Sequence, residues 1–227
     1  MEKKSKVSLD KEDEVQYLGD YEIHEVIGKG SYALVKLIVD KSTKEKYAVK
    51  IYKKESLNDS VKKKNLKKEI KILSIVKHKN ILQLYKVITG RLNIYIVTEY
   101  VSRVSLLSFL EAEVNLEEEF CKFIFSQIVS AVNHLHQNEI IHRDLKLQNI
   151  LLDENLLIKI IDFGFSRFQP KDKIQVYCGT PTYMAPEILR HKSYDPRPTD
   201  IWALGIILFR MLVGEFPFRA KNQKKLF

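Results

Sequence analysis

The spacing of apolar residues changes along this chain, and that change limits the fold more than any other feature. From Tyr21 to about Tyr52 the runs YEIHEVIG, YALVKLIVD and KYAVKIY alternate apolar and polar positions, the period of a strand with one face buried, and two more strand-like runs, ILQLYKVIT and NIYIVTEYV, extend to Val101. Gly28-Lys29-Gly30, Asp40-Lys41-Ser42-Thr43 and Gly90-Arg91-Leu92 separate them with turn-forming residues, so they read as an antiparallel meander. Residues 58–77 interrupt it: Leu66, Ile70 and Leu73 recur at helical spacing, and His78-Lys79-Asn80 follows as a stop. From Leu106 the helical period dominates, first in LLSFLEAE and then along the stripe Ile124, Ile128, Ala131 and Leu135. Glu117, Glu118 and Glu119 suit the positive end of that helix dipole. Two short apolar runs, NILLD and LIKIID, precede a loop containing Gly179, Pro181 and Pro186 and a hydrophobic helix, IWALGIILFRMLVG. The expected class is α+β: a mobile leader over 1–20, a small antiparallel β lobe with one helix over 21–101, and a mainly helical lobe over 102–227.

A chain of 227 residues can bury a core for one large domain or two small lobes, and 45% hydrophobic with 30% charged residues excludes a disordered adaptor. No run approaches the roughly 18 apolar residues of a membrane-spanning helix. MEKKSKVSLDKEDE lacks the apolar core of a signal peptide, so a soluble, cytoplasmic protein is expected. Cys121 and Cys178 are too few for a disulfide framework and lack zinc-site spacing. The net charge of +9 is concentrated from Lys62 to Lys71, where Glu69 is the only acid among Lys62, Lys63, Lys64, Lys67, Lys68 and Lys71. Such a run is either a solvated helix face or a polyanion-binding or nuclear-import patch, with the nucleus as a second compartment. Without interleaved aromatics or a recognition motif, nucleic acid is not the expected partner.

Chemistry-bearing residues fall into three groups. The turn Gly28-Lys29-Gly30-Ser31 joins two strands, which disfavours a dinucleotide fold but permits close backbone approach to phosphate oxygens. Lys50 ends the strand tetrapeptide Tyr47-Ala48-Val49-Lys50, and Glu69 lies beside the buried face of the first helix. If the two pair, they hold an ammonium beside a bound anion. The third group is Ile141-His142-Arg143-Asp144-Leu145-Lys146-Leu147-Gln148-Asn149, followed by Asp162-Phe163-Gly164 at the end of an apolar strand. Asn149 and Asp162 are hard oxygen donors suited to Mg2+. Asp144 can accept the proton of an attacking hydroxyl while Lys146 offsets charge on a transferred phosphoryl group.

With GKGSYALV, YAVK, the Glu69 helix, HRDLKLQN, DFG and CGTPTYMAPE in that order, the sequence resembles the eukaryotic protein kinase family over essentially its whole ordered length. The resemblance implies a bilobal fold with ATP and Mg2+ between the lobes. It further implies that Ile27, Gly28, Lys29, Gly30, Ser31, Val35, Ala48, Lys50, Leu151 and Asp162 contact the nucleotide. Thr98 would be the gatekeeper side chain, and Glu99 to Val101 the hinge that meets adenine. Lys50 would contact the α and β phosphates and pair with Glu69, Asp144 would be the catalytic base, and Asn149 and Asp162 would hold the metal. Lys146 with Gly179-Thr180-Pro181 looks like a serine/threonine kinase acting on protein hydroxyls, with Thr180 positioning Asp144 and Lys146. SQIVSAVNHLHQNEIIHRDLK and IIDFGFSR look most similar to the calcium/calmodulin-dependent and AMP-activated group, including the microtubule-affinity-regulating branch.

The pattern also has departures. Ala33 replaces the third phosphate-loop glycine, with a modest expected effect on ATP affinity. Ser105, Gln148 and Arg210 stand where basophilic kinases often carry acids, so no strong arginine preference is expected. Between Phe165 and Gly179 the hydroxyl-bearing residues are Ser166 and Tyr177, and Val176 or Tyr177 takes the place of the threonine that commonly pairs with the residue at Arg143 when phosphorylated. Finally, the family has further helices beyond GEFPFRAKNQKKLF, including an arginine that pairs with the residue at Glu187. An incomplete C-lobe is therefore expected, with a nucleotide-binding or partner-competing regulatory module as the alternative to an active enzyme.

Overall fold

The computed structural model describes residues 16–30, 33–57, 59–101, 104–113, 116–170, 172–190, 193–220 and 226. Residues 1–15 of the expected leader, and Ser31 of the glycine turn, lie outside them. Order begins earlier than Tyr21: β1 (Gln16–Leu18) turns at Gly19, whose φ is +60°, and pairs with β2 (Tyr21–Lys29). Three residues carry no readable period, which is why this strand is silent in the sequence. The meander continues through β3 (Ala33–Asp40) and β4 (Lys46–Lys53) to α1 (Ser60–Ile75), β5 (Leu84–Thr89) and β6 (Asn93–Glu99). The six strands form one antiparallel sheet in the order β1-β2-β3-β4-β6-β5, placing β4 and β6 in its interior.

Helix α1 starts where Asp59 accepts a 2.8 Å hydrogen bond from the Val61 amide, satisfying one of the amides that a helix N-terminus leaves free. It buries Leu66, Ile72 and Leu73, and Glu69 with them. Its lysines follow the solvated-face reading in part: Lys63, Lys64, Lys67 and Lys71 are exposed, and Lys71 lies 5.2 Å from the ring centroid of Phe168.

The second lobe contains α2 (Leu106–Ala112), capped by Ser105, and α3 (Glu118–Gln137), whose buried stripe includes Ile124, Ile128, Ala131 and Leu135. After β7 (Ile140–Ile141) come the hairpin β8 (Ile150–Leu152) and β9 (Ile158–Ile160), then β10 (Arg167–Phe168), which pairs with β7. α4 (Pro186–Leu189) precedes α5 (Arg197–Val213), which begins a turn ahead of the apolar run because Pro198 suits a helix's first turn. No helix among the described residues is long and apolar enough to cross a membrane. One buried cluster spans both lobes, from Ile72 and Leu73 of α1 through Ile124 and Ile128 of α3 to Phe163. Fully buried Asn80 adds a polar joint, donating to Gln127 Oε1 at 2.8 Å and to the Ile158 carbonyl at 3.1 Å. The residues read as a helix stop thus also fasten the two lobes.

Candidate active site

A cleft of about 540 Å³ opens between the sheet and β8, and strand periodicity explains what lines it. Ala48, Lys50 and Tyr52 alternate along β4, so they share one face of the sheet. Across the ladders Val35 stands opposite Lys50, and Thr98 opposite Ala48. Ile27, Gly28 and Lys29 at the end of β2 and Gly30 just beyond it cover the cleft, Glu99 and Val101 close its back, and Leu151, Asn149 and Asp162 form its floor; the expected glycine turn is in part strand, with Gly28 paired to Val35 and Lys29 to Leu34. Every residue that the sequence assigns to nucleotide contact therefore lines this cleft except Ser31, which is not described. Tyr100 of the expected hinge and Phe163 of the Asp162-Phe163-Gly164 motif also line it, and Leu73, Leu82, Ile96 and Ile161 complete the lining without having been assigned to the site.

Lys50 Nζ donates to Glu69 Oε1 at 2.8 Å and stands 3.7 Å from Asp162 Oδ1. Burial by itself pushes the Lys50 pKa down, but the negative charge around it, led by Glu69, outweighs burial and holds the group above the ordinary lysine range. Asp162 follows β9 with φ +63°, a left-handed conformation that costs a non-glycine residue free energy and that clusters at functional sites.

The loop between β7 and β8 is held from beneath by Asp200 in the first turn of α5, a carboxylate that is 1% exposed. Its Oδ2 accepts from the His142 amide and lies the same 2.9 Å from His136 Nε2, and its Oδ1 accepts from the Arg143 amide at 2.9 Å. These bonds support Arg143 at φ +67° and orient Asp144. Lys146 Nζ donates to Asp144 Oδ2 at 2.7 Å and to Thr180 Oγ1 at 2.9 Å, and Thr180 Oγ1 donates to Asp144 Oδ1 at 2.8 Å. Asn149 Nδ2 donates to the Asp144 carbonyl at 2.9 Å, which joins Asp144 and Lys146 to the cleft that they do not themselves line.

A family model described as "Protein kinase domain" matches residues 21–227. The chain belongs to the protein kinase family. NUAK family SNF1-like kinase 1 of Mus musculus is 39% identical over 207 residues, covering 91% of this kinase domain's chain and 32% of the relative. The Homo sapiens protein of that name is also 39% identical, with 31% of its length covered. Serine/threonine-protein kinase SIK3 homolog of Danio rerio is 42% identical over 213 residues, 92% of this chain and 18% of its own. The chain therefore spans about a third or less of the length of these relatives. They fall in the AMP-activated-related serine/threonine group that the motifs resemble.

Further features of this kinase domain come from tertiary structure. Ser166 is 4% exposed, and its Oγ donates to the His142 carbonyl at 3.2 Å, so one of the two hydroxyl residues in the 165–179 segment is committed inside the lobe. Arg143 Nε donates to the Phe165 carbonyl at 2.7 Å while its buried Nη1 has no partner among the described residues. Another feature is Tyr52, whose hydroxyl donates to Glu69 Oε2 at 3.1 Å. Its signal in the sequence was only its place two residues after Lys50 on the same strand face.

Proposed function

We propose that this kinase domain transfers the γ-phosphoryl group of ATP to serine and threonine hydroxyls of protein substrates. The observation that carries the reading is the closed contact set of Asp144, Lys146 and Thr180 beside a cleft that holds a paired Lys50. Transfer of a phosphoryl group needs positioning and charge stabilisation more than covalent help from the protein. In this reading Lys50 grips the α and β phosphates, Glu69 holds Lys50, and the backbone from Glu99 to Val101 meets adenine under Thr98. Asp144 accepts the proton of the attacking hydroxyl, and Lys146 offsets negative charge on the moving phosphoryl group. Asn149 spends its amide nitrogen on Asp144, which leaves its carbonyl oxygen as a donor. With the partly exposed carboxylate of Asp162 it makes a hard oxygen set that fits Mg2+. Bound magnesium supplies neutralisation of charge on the β and γ phosphates.

The test is phosphate incorporation into a general protein substrate from ATP and Mg2+, with Asp144→Asn run beside the parent. The parent should incorporate phosphate, and the variant should lose nearly all of it while still gaining thermal stability from nucleotide. Equal incorporation by both would sink the assignment. A parent that binds nucleotide without transferring phosphate would favour a regulatory module.

A further inference from the structure

The tyrosine at position 52 has no part in the reading above, yet it touches both members of the pair on which nucleotide contact depends. Its side chain is 7% exposed and packs with Leu57, Leu66 and Ile96. It sits in the interior of the sheet, opposite Ala33 on β3 and Ile94 on β6, so its backbone is held from both sides. The hydroxyl donates to Glu69 Oε2 at 3.1 Å, and the ring centroid lies 5.4 Å from Lys50 Nζ.

Glu69 is itself 5% exposed, with Oε1 taken by Lys50 at 2.8 Å. A carboxylate held at one oxygen can still turn about its last bonds; one held at both, by groups on a rigid strand, keeps one orientation. Removing only the phenol oxygen would leave Oε2 buried without that donor, an expense the chain can avoid by turning Glu69 away and breaking the Lys50 pair. The same oxygen stands about 4 Å from where a side chain at Gly164 would begin, so Glu69 also lies beside the turn that follows Asp162.

We propose that Tyr52 is a positioning residue for phosphoryl transfer, holding Glu69 in the one orientation that keeps Lys50 placed for the phosphates of the nucleotide. The proposal rests on the nucleotide reading of the cleft. It predicts a phenotype that simple core packing does not, because Tyr52→Phe retains the ring and its apolar contacts.

The experiment compares the parent with Tyr52→Phe in two assays. The first measures the rate at which an amine-acylating reagent labels Lys50 in nucleotide-free protein, read by peptide mass spectrometry. The second measures affinities for Mg-ADP and for adenosine, which fills the same cleft without phosphates. Tyr52→Phe should label Lys50 about tenfold faster and weaken Mg-ADP about tenfold, with adenosine unchanged. In a Glu69→Gln background the Tyr52→Phe change should add nothing to either effect, since the group it acts through is gone. Unchanged Lys50 labelling together with an unchanged ratio of ADP to adenosine affinity would overturn the proposal and make Tyr52 a packing residue. If neither ADP nor adenosine binds the parent, the reading of the cleft fails, and the labelling rate still decides the role of Tyr52.

Discussion

Thr180 Oγ1 donates a 2.8 Å hydrogen bond to Asp144 Oδ1, across 36 residues of chain. Lys146 closes the triangle by donating to both, so each oxygen of the Asp144 carboxylate has a fixed partner. In the proposed reaction, a carboxylate oriented in this way would meet an incoming hydroxyl without reorganising first, which is where preorganised sites gain rate. The segment that ends at Thr180 is therefore tied to the loop that carries Asp144. Gly179 permits the contact: its φ is +113°, and a Cβ there would stand 3.1 Å from the Arg143 carbonyl oxygen.

Replacing Thr180 with Val keeps the shape and removes the donor. A hydrogen bond to a charged group contributes about 1.5–3 kcal/mol, so turnover should fall by roughly 10- to 100-fold. The KM for ATP should stay nearly constant, because Thr180 does not line the cleft. Thr180→Ser should recover most of the loss. A Val variant with parental kcat in steady-state assays would show that the triangle does not matter to transfer.

Asp200 is the structural counterpart of that triangle. Asp200→Ala would strip the acceptor from the buried amides of His142 and Arg143, at a cost of about 3 kcal/mol or more. Urea denaturation should register this as a much lower midpoint, with Asp200→Asn retaining one acceptor oxygen and losing less. Midpoints that match the parent would mean the loop is supported by other contacts.

Stability should also fall in mild acid through His78. Its Nδ1 accepts from the Asn80 amide at 3.1 Å, and its ring lies 5.1 Å from that of His134. Burial, then the neighbouring His134, Lys79 and Lys159, push its pKa below 6.5. The unfolded chain therefore takes up the proton first as pH falls. The contribution from neutral His78 is complete above the unfolded pKa of about 6.5 and is lost as pH drops from there through the lower folded value. Melting temperatures at pH 7.5 and 5.5 should differ more for the parent than for His78→Gln; equal differences would remove His78 from the account.

Substrate choice should not depend on upstream arginines. Ser105 Oγ accepts from the Ser108 amide at 3.1 Å, Gln148 is exposed and uncharged, and Arg210 lies 5.6 Å from the ring centroid of Phe216. None of the three offers a carboxylate to a guanidinium, and the net charge of +9 works against a basic peptide at long range. A peptide library phosphorylated by this kinase domain should show no dominant arginine upstream of the target hydroxyl. A profile dominated by such arginines would contradict this.

Much of the architecture could be read from local pattern, since strands of period 2 and helices of period 3.6 write their buried faces directly into the residue order. β1 escaped because three residues hold too little periodicity, and α5 began early because Pro198 breaks an apolar run yet suits a helix start. In the site, Lys50, Glu69, Asp144, Asn149 and Asp162 were legible because their chemical types and spacing constrain one another. Tyr52 was not, since a tyrosine on a strand reads as core, and its partner arrives from a helix whose rotation no strand pattern specifies.

The sequence alone determined the fold class and the family resemblance, and it supplied the candidate groups for handling a phosphate, because each depends on residue type and on spacing along the chain. Only the tertiary structure decided which oxygen of Glu69 meets Lys50 and which meets Tyr52, and which oxygen of Asp144 takes Lys146 and which takes Thr180. Those choices follow from how α1 packs against the sheet and where Thr180 meets the loop that carries Asp144. Packing of distant surfaces sets both, and local periodicity carries no record of it.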